Sequence, residues 1–322
     1  MLSRVADNLY WMGRSIERAA VLNRLLEVHN EVAFYHSDKQ LQARLHTLAL
    51  QANVAQPPGS PNPEAFLRSV AVARGKVPSV YRNIASAREN ARQVRDLITT
   101  PMWEQLNELY LQISRREFTD SWHAFAGSFH ETVRRGISSF DGVTESTFDH
   151  SECWHFLRLG RHIERAIQMT NFLVWHLDAY LDPDDHSLEA DLGTEWSSAL
   201  QCWDGLESFA RLYSAQLRPR RVVRFLLLEK GFPNSLAFSM GQVQSSLREI
   251  ESSSGTGAQK SRELRRAIGR LAAEIEYSTE DDLLSGDYIR ALNSFGRRCG
   301  ELHQLIHDQY IGYDLETAMV YG

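Results

Sequence analysis

The sequence predicts an all-α protein, a large helical bundle built from two halves related by a pseudo-twofold axis. Three observations carry that expectation. The stretch Gly13-Arg14-Ser15-Ile16-Glu17-Arg18-Ala19 recurs as Gly160-Arg161-His162-Ile163-Glu164-Arg165-Ala166, changed only at its third position. Such a repeat inside two long helical patterns marks an internal duplication. Apolar residues recur at helical spacing along most of the chain, and strand-like alternation is nearly absent. The nine prolines and nineteen glycines fall mostly at breaks between those patterns. The expected organisation is a single helical domain over 1–322, with a first half of about 1–145 and a second of about 146–322.

The first motif lies in a helix expected over Leu2 to Tyr35. Val5, Leu9, Met12, Ile16 and Ala20 form one of its faces, and Phe156, Leu159, Ile163 and Ile167 repeat the last four in the second copy. Beside this seam run Tyr10, Arg14, Glu17 and Val21, matched by Leu157, Arg161, Glu164 and Gln168. Each copy thus places Arg and Glu three residues apart on the flank of a buried stripe. A glycine inside a helix costs roughly 1 kcal/mol against alanine. Its presence in both copies implies close approach of another backbone. Glu17, Arg18, Glu164 and Arg165 are expected to meet near the centre, with Arg14 and Arg161 beside them. One reading is a structural ion-pair network, since buried charges must be paired. The other is a polar site built from both copies.

The remaining elements follow in order. Leu41 to Leu50 and Ala65 to Ala73 read as short helices on either side of the Pro-rich loop 56–63. Pro78 opens a helix expected to reach Ile98, seamed by Ile84, Ala87, Ala91, Val94 and Ile98. Thr100 and Pro101 start the next, with Trp103, Leu106, Leu109, Tyr110 and Ile113 inward. Asp120 is expected to cap a helix that Asp141-Gly142 breaks. In the second half, helices are expected over Glu152 to Leu181, Trp196 to Leu212 and Val222 to Leu228. Gly231-Phe232-Pro233-Asn234-Ser235 resembles the start Val77-Pro78-Ser79, so Leu236 to Ile250 repeats Val80 to Val94 with a one-residue slip. Ser252 to Gly257 reads as a linker. Helices over Gln259 to Tyr277 and Asp281 to Gln309 complete the chain.

Composition bounds the function. The chain is 43% hydrophobic and 24% charged, ordinary for a globular protein that buries a sizeable core. A net charge of −6 argues against a general nucleic-acid binder. Three scattered cysteines, no signal-peptide core and no apolar run of spanning length point to a cytoplasmic protein off the membrane. Phosphate-loop glycines, a nucleophile elbow and His-Glu-x-x-His are all lacking, so neither cofactor nor nucleotide binding is expected. Glu152-x-x-His155 and Asp120-x-x-His123 match the paired ligand sets of di-iron bundles poorly, and no metal is expected. Secondary candidates are Arg88, Glu89, Asn90 and Arg92. With Arg95, the arginines of that face would bind a phosphate or carboxylate, or simply face solvent.

Leu2-Ser3-Arg4-Val5-Ala6-Asp7-Asn8-Leu9-Tyr10-Trp11-Met12-Gly13-Arg14 resembles the start of the bacterial alpha-E proteins. Ala87-Arg88-Glu89-Asn90-Ala91-Arg92 and Trp154-His155-Phe156-Leu157-Arg158-Leu159-Gly160-Arg161 match two more of that family's signatures, and Glu17-Arg18 and Glu164-Arg165 are its repeated Glu-Arg pairs. Ser151-Glu152-Cys153 departs from the family's Asp-Glu-Gly type. The resemblance implies a helical protein encoded beside, or fused to, circularly permuted ATP-grasp amidoligases and transglutaminase-like proteases. The implied role is a non-catalytic partner of an ATP-grasp ligase, presenting a peptide in peptide synthesis or modification. The alternatives are an enzyme whose site uses Glu17 and Glu164, and a structural module that forms homo-oligomers.

Overall fold

A computed structural model describes residues 3–33, 38–54, 62–180, 193–213, 217–254, 258–279 and 288–311. Among them every regular element is a helix. The two motif helices, α1 (Ser3–Ala33) and α8 (Glu152–Tyr180), lie at the centre and pack more extensively on each other than any other described pair. α4 (Val80–Gln93) covers α1, and α12 (Leu236–Ser254) covers α8. Outside them, α5 (Thr100–Ile113) packs between α4 and α7 (Trp122–Thr147), and α13 (Ala258–Tyr277) between α12 and α14 (Tyr288–Ile306). α7 also touches α1, and α14 touches α8 before ending in a π-helical turn, His307–Ile311. The shorter α2 (Asp38–Gln51), α3 (Pro63–Val72), α6 (Glu117–Asp120), α9 (Gly193–Cys202), α10 (Leu206–Tyr213) and α11 (Pro219–Leu228) surround this frame.

The centre is crowded because α1 buries more than one face. Leu9, Met12 and Ile16 of the expected seam are buried, and so are Tyr10, Arg14, Glu17 and Val21 beside it. The sequence pattern places that second stripe on a flank. The structure encloses it, because α8 covers one side of α1 while α4 and α7 cover others. A helix surrounded in this way needs no wide polar face.

Two serines set how the covering helices arrive. Ser79 Oγ donates to the Ala73 carbonyl (2.6 Å) and accepts from the Arg82 N–H (3.1 Å). Ser235 Oγ donates to the Glu229 carbonyl (2.6 Å) and accepts from the Phe238 N–H (3.0 Å). Each serine caps its helix and fastens the chain six residues upstream. These are the two starts whose sequences resemble each other.

Several boundaries differ from the sequence reading. α4 stops at Gln93, where Val94 adopts φ −120 and its N–H turns to the Ala91 carbonyl. Val94 and Ile98 stay buried through the turn that follows. Thr99, rather than Thr100, caps α5. α6 ends at Asp120 and α7 begins after Ser121, so Asp120 is not the cap. α7 then runs straight through Asp141-Gly142, because the Asp141 carboxylate is held by Arg161 and is not free to compete for local backbone N–H groups. The helix expected over Trp196 to Leu212 is two, broken where Asp204 takes φ 52 and the Gly205 N–H closes on the Leu200 carbonyl (2.8 Å). α12 extends to Ser254. The Pro-rich stretch 55–61, residues 255–257, 280–287 and 312–322 lie outside the described residues.

Candidate functional site

The motif glycines account for how closely α1 and α8 meet. A Cβ on Gly13 would stand 2.1 Å from the Leu157 carbonyl oxygen, and one on Gly160 would stand 2.1 Å from the Tyr10 carbonyl oxygen. No side chain fits there. The two backbones therefore touch at both motifs, and the residues one turn further on are forced across the interface.

Those residues pair crosswise. Arg165 grips Glu17 with Nε and Nη2, both at 2.7 Å, and Arg161 Nε stands 3.6 Å away. Glu164 accepts from Arg14 Nε at 2.7 Å, Arg18 Nε at 2.6 Å and Gln168 Nε2 at 2.8 Å. Both carboxylates are 0% exposed, and each oxygen has at least one donor. All six motif residues, Arg14, Glu17, Arg18, Arg161, Glu164 and Arg165, thus come together at one helix crossing. The copies differ in detail. Arg161 turns to Asp141 as a two-toothed pair (2.5 and 2.8 Å), whereas the Arg14 guanidinium lies over the Trp11 ring at 4.8 Å. Tyr10 completes that side by bonding His303 Nδ1 at 2.9 Å.

Burial alone would raise the pKa of both glutamates. For Glu17 the charge and hydrogen bonds of Arg165, with Arg161 behind, outweigh it and hold the carboxyl near 2. For Glu164, Arg14 and Arg18 do the same, and its pKa too is lowered. Histidines go the opposite way from their charged form. Burial, reinforced by Arg134, pushes His130 down to about 4. Its Nδ1 meets Asn23 Oδ1 at 2.9 Å, and its Nε2 is buried without a partner for a second proton.

Acid should therefore destabilise the protein in two stages. His130 is neutral when folded but takes a proton near its ordinary 6.5 when unfolded, so stability is full above that value and declines toward about 4. Glu17 contributes fully above its ordinary 4.5 and loses that contribution as pH falls toward about 2. Urea midpoints measured at pH 7, 5 and 3 would show two successive drops. An unchanged midpoint between pH 7 and 5 would contradict a buried neutral His130.

Hollows open on both sides of the crossing. One, of about 420 Å³, lies where α1, α7 and α8 meet the start of α12, and Glu17, Arg24, Arg158, Arg161, His162 and Arg165 are among its walls. The other, of about 480 Å³, is lined by Trp11, Ser15, Arg18, Arg82, Glu89 and Asn90, among others. Two of the secondary candidates, Glu89 and Asn90, thus border the crossing through Arg18. Arg92 pairs with Glu89 on the surface (2.7 Å). Arg88 turns away to Asn107 (2.7 Å) and the Tyr110 ring. The four do not form one site.

A family model described as Alpha-E, a predicted alpha-helical domain with a conserved ER motif, matches residues 1–311. The chain belongs to the Alpha-E family. The two ER pairs of this Alpha-E protein are the cross-paired Glu17-Arg18 and Glu164-Arg165. It is 23% identical over 314 residues to uncharacterised proteins of Mycobacterium bovis and of Mycobacterium tuberculosis strain CDC 1551, and 22% identical to one of strain H37Rv. Each match covers 89% of this chain, which spans about a third (34%) of the length of those curated relatives. No solved structure matches it.

Sequence reasoning missed Asp141, Arg24 and Arg158 as parts of this region. Asp141 was hidden by its Asp-Gly context, which reads as a helix break. Arg158 did carry a signal: at the offset that superposes Gly13 and Gly160, it falls on Trp11, a cation where the first copy has an aromatic ring. Among the described residues no group of three or more His, Cys, Asp or Glu is placed to hold a metal ion, and no helix is long and apolar enough to cross a membrane.

Proposed function

We propose that this Alpha-E protein is a non-catalytic helical partner of a circularly permuted ATP-grasp amidoligase, presenting a peptide or amino acid for ATP-dependent amide-bond formation. The observation that carries the non-catalytic part is the state of Glu17 and Glu164. A general base needs a pKa near working pH and a lone pair within reach of the substrate proton. These carboxylates are buried, ionised and occupied on every oxygen by donors from the opposite helix or, for Gln168, the neighbouring turn. They suit a lock between helices better than proton transfer. The partner part rests on the resemblance of Leu2–Arg14, Ala87–Arg92 and Trp154–Arg161 to a family encoded with such ligases. The curated relatives also carry the matched stretch as about a third (34%) of a longer chain, an arrangement that suits a module working beside other domains.

The same reading includes two duplicated halves. It is supported by the reciprocal glycine contacts, the crosswise Glu-Arg pairing and the matched Ser79 and Ser235 caps.

Reconstitution tests the proposal. The chain should co-purify with the ATP-grasp protein encoded beside it. Added to that ligase with ATP and peptide, it should raise amide product, while the chain alone should turn over nothing. In Glu164→Gln, product should fall only with the folded fraction. Turnover by the isolated chain, abolished in a folded Glu164→Gln variant, would instead establish the enzyme reading.

A further inference from the structure

We propose that the hollow between α1, α7 and α8 binds the carboxylate of an amino acid or short peptide, with Arg158 and Arg24 as its anchors. At about 420 Å³ it falls in the size range of small-molecule sites. Its walls hold more donors than the protein uses. Arg24 gives Nη1 to Asp204 at 2.7 Å, and its Nε and Nη2 are buried with no partner. Arg158 lies over the Trp154 ring at 4.5 Å and donates to Gln242 Oε1. Among the described residues it has no carboxylate within ion-pairing distance, although it is half-buried. His162, 8% exposed, lines the same hollow with Nδ1 unpartnered. Buried donors left without acceptors are costly, and nearly all in folded proteins find one.

The other arginines of the hollow are committed. Arg161 holds Asp141, and Arg165 holds Glu17 and the Pro233 carbonyl (3.0 Å). Arg158 and Arg24 therefore remain to meet an acceptor from outside. A guanidinium fork matches a planar carboxylate, and the charge-assisted bonds are stronger than neutral ones. Asp204 and Glu145 also border the hollow. They disfavour a phosphate of nearly two negative charges, and would pair with the free amino group of the same ligand. The opposite hollow has Trp11 at the position that corresponds to Arg158, so the feature belongs to the second copy alone.

This deepens the substrate-presenting reading, and rests on it for what the ligand is used for, but binding itself needs no ligase. The test is a titration of the isolated chain with alanyl-alanine, alanyl-alaninamide and inorganic phosphate, followed by calorimetry and tryptophan fluorescence. The dipeptide should bind saturably at millimolar concentrations or below, and its amide at least about tenfold more weakly. Arg158→Gln should weaken the dipeptide by about tenfold or more, with the melting temperature held near wild type. Should that variant fold poorly, Arg158→Lys keeps the charge and loses the fork, and should still weaken binding several-fold. No saturable dipeptide binding, equal binding of the amide, tighter binding of phosphate, or indifference to both Arg158 variants would each overturn the site. Dipeptide binding without ligase capture would leave the site standing and remove the partner. Capture without dipeptide binding would do the reverse.

Discussion

Glu164→Ala is expected to lower unfolding free energy by about 3–5 kcal/mol, read as the shift of a urea unfolding curve at neutral pH. The size follows from what the substitution leaves behind. Arg14 is 4% exposed, its Nη1 already lacks a partner, and among the described residues Glu164 is its one counter-charge at hydrogen-bond distance. Losing one partner of a buried pair strands the other, which costs far more than the pair itself contributes. Arg18, with a side chain 37% exposed, escapes to water and adds little. Glu164→Gln should fall between wild type and alanine, since it keeps the volume and one acceptor but turns an amide NH2 toward the guanidinium donors. Replacing Arg14 and Glu164 together by apolar residues should recover much of the loss. A Glu164→Ala protein within about 1 kcal/mol of wild type would mean that the crossing is not held by this pair.

Gly13→Ala and Gly160→Ala should be comparably severe for a different reason. The added methyl would sit 2.1 Å from a backbone carbonyl oxygen of the facing helix, and a backbone cannot rotate away as a flexible side chain does. α1 and α8 would have to separate, loosening the Glu-Arg pairs beyond the motif. Overpacking in cores costs about 1–3 kcal/mol, and here the upper end or more is expected. Gly269→Ala, inside α13 with nothing within 4 Å of the added carbon, is the control. It should gain roughly 1 kcal/mol from helix propensity. Melting temperatures of the three variants would separate the effects. If Gly13→Ala melts like Gly269→Ala, the close approach of the motif helices is wrong.

The helices were legible where a periodic apolar seam had a clear stop, as with Gln259 to Tyr277. They were misread where a local signal was overruled by a distant partner. Asp141-Gly142 reads as a break, yet Arg161 from another helix takes the carboxylate that would have made the turn. Trp196 to Leu212 reads as continuous, yet Asp204 turns left-handed and meets Arg24. Neither partner is near in sequence.

What the sequence by itself determined is the helical class and the two motif helices, with the glycine that demands a close neighbour in each. Periodicity and glycine are local properties, set by backbone sterics and by which residues repeat on one face. It also singled out the six motif charges as a group. Only the tertiary structure decided how those charges are shared. Glu17 pairs with the arginines of the second copy and Glu164 with those of the first, and Asp141 draws Arg161 partly away. Electrostatic partnership depends on distances across the helix crossing, which a linear pattern does not contain. For the same reason it is only in the folded chain that Arg24 is left with two unpartnered nitrogens and Arg158 without a carboxylate partner among the described residues, both lining one hollow.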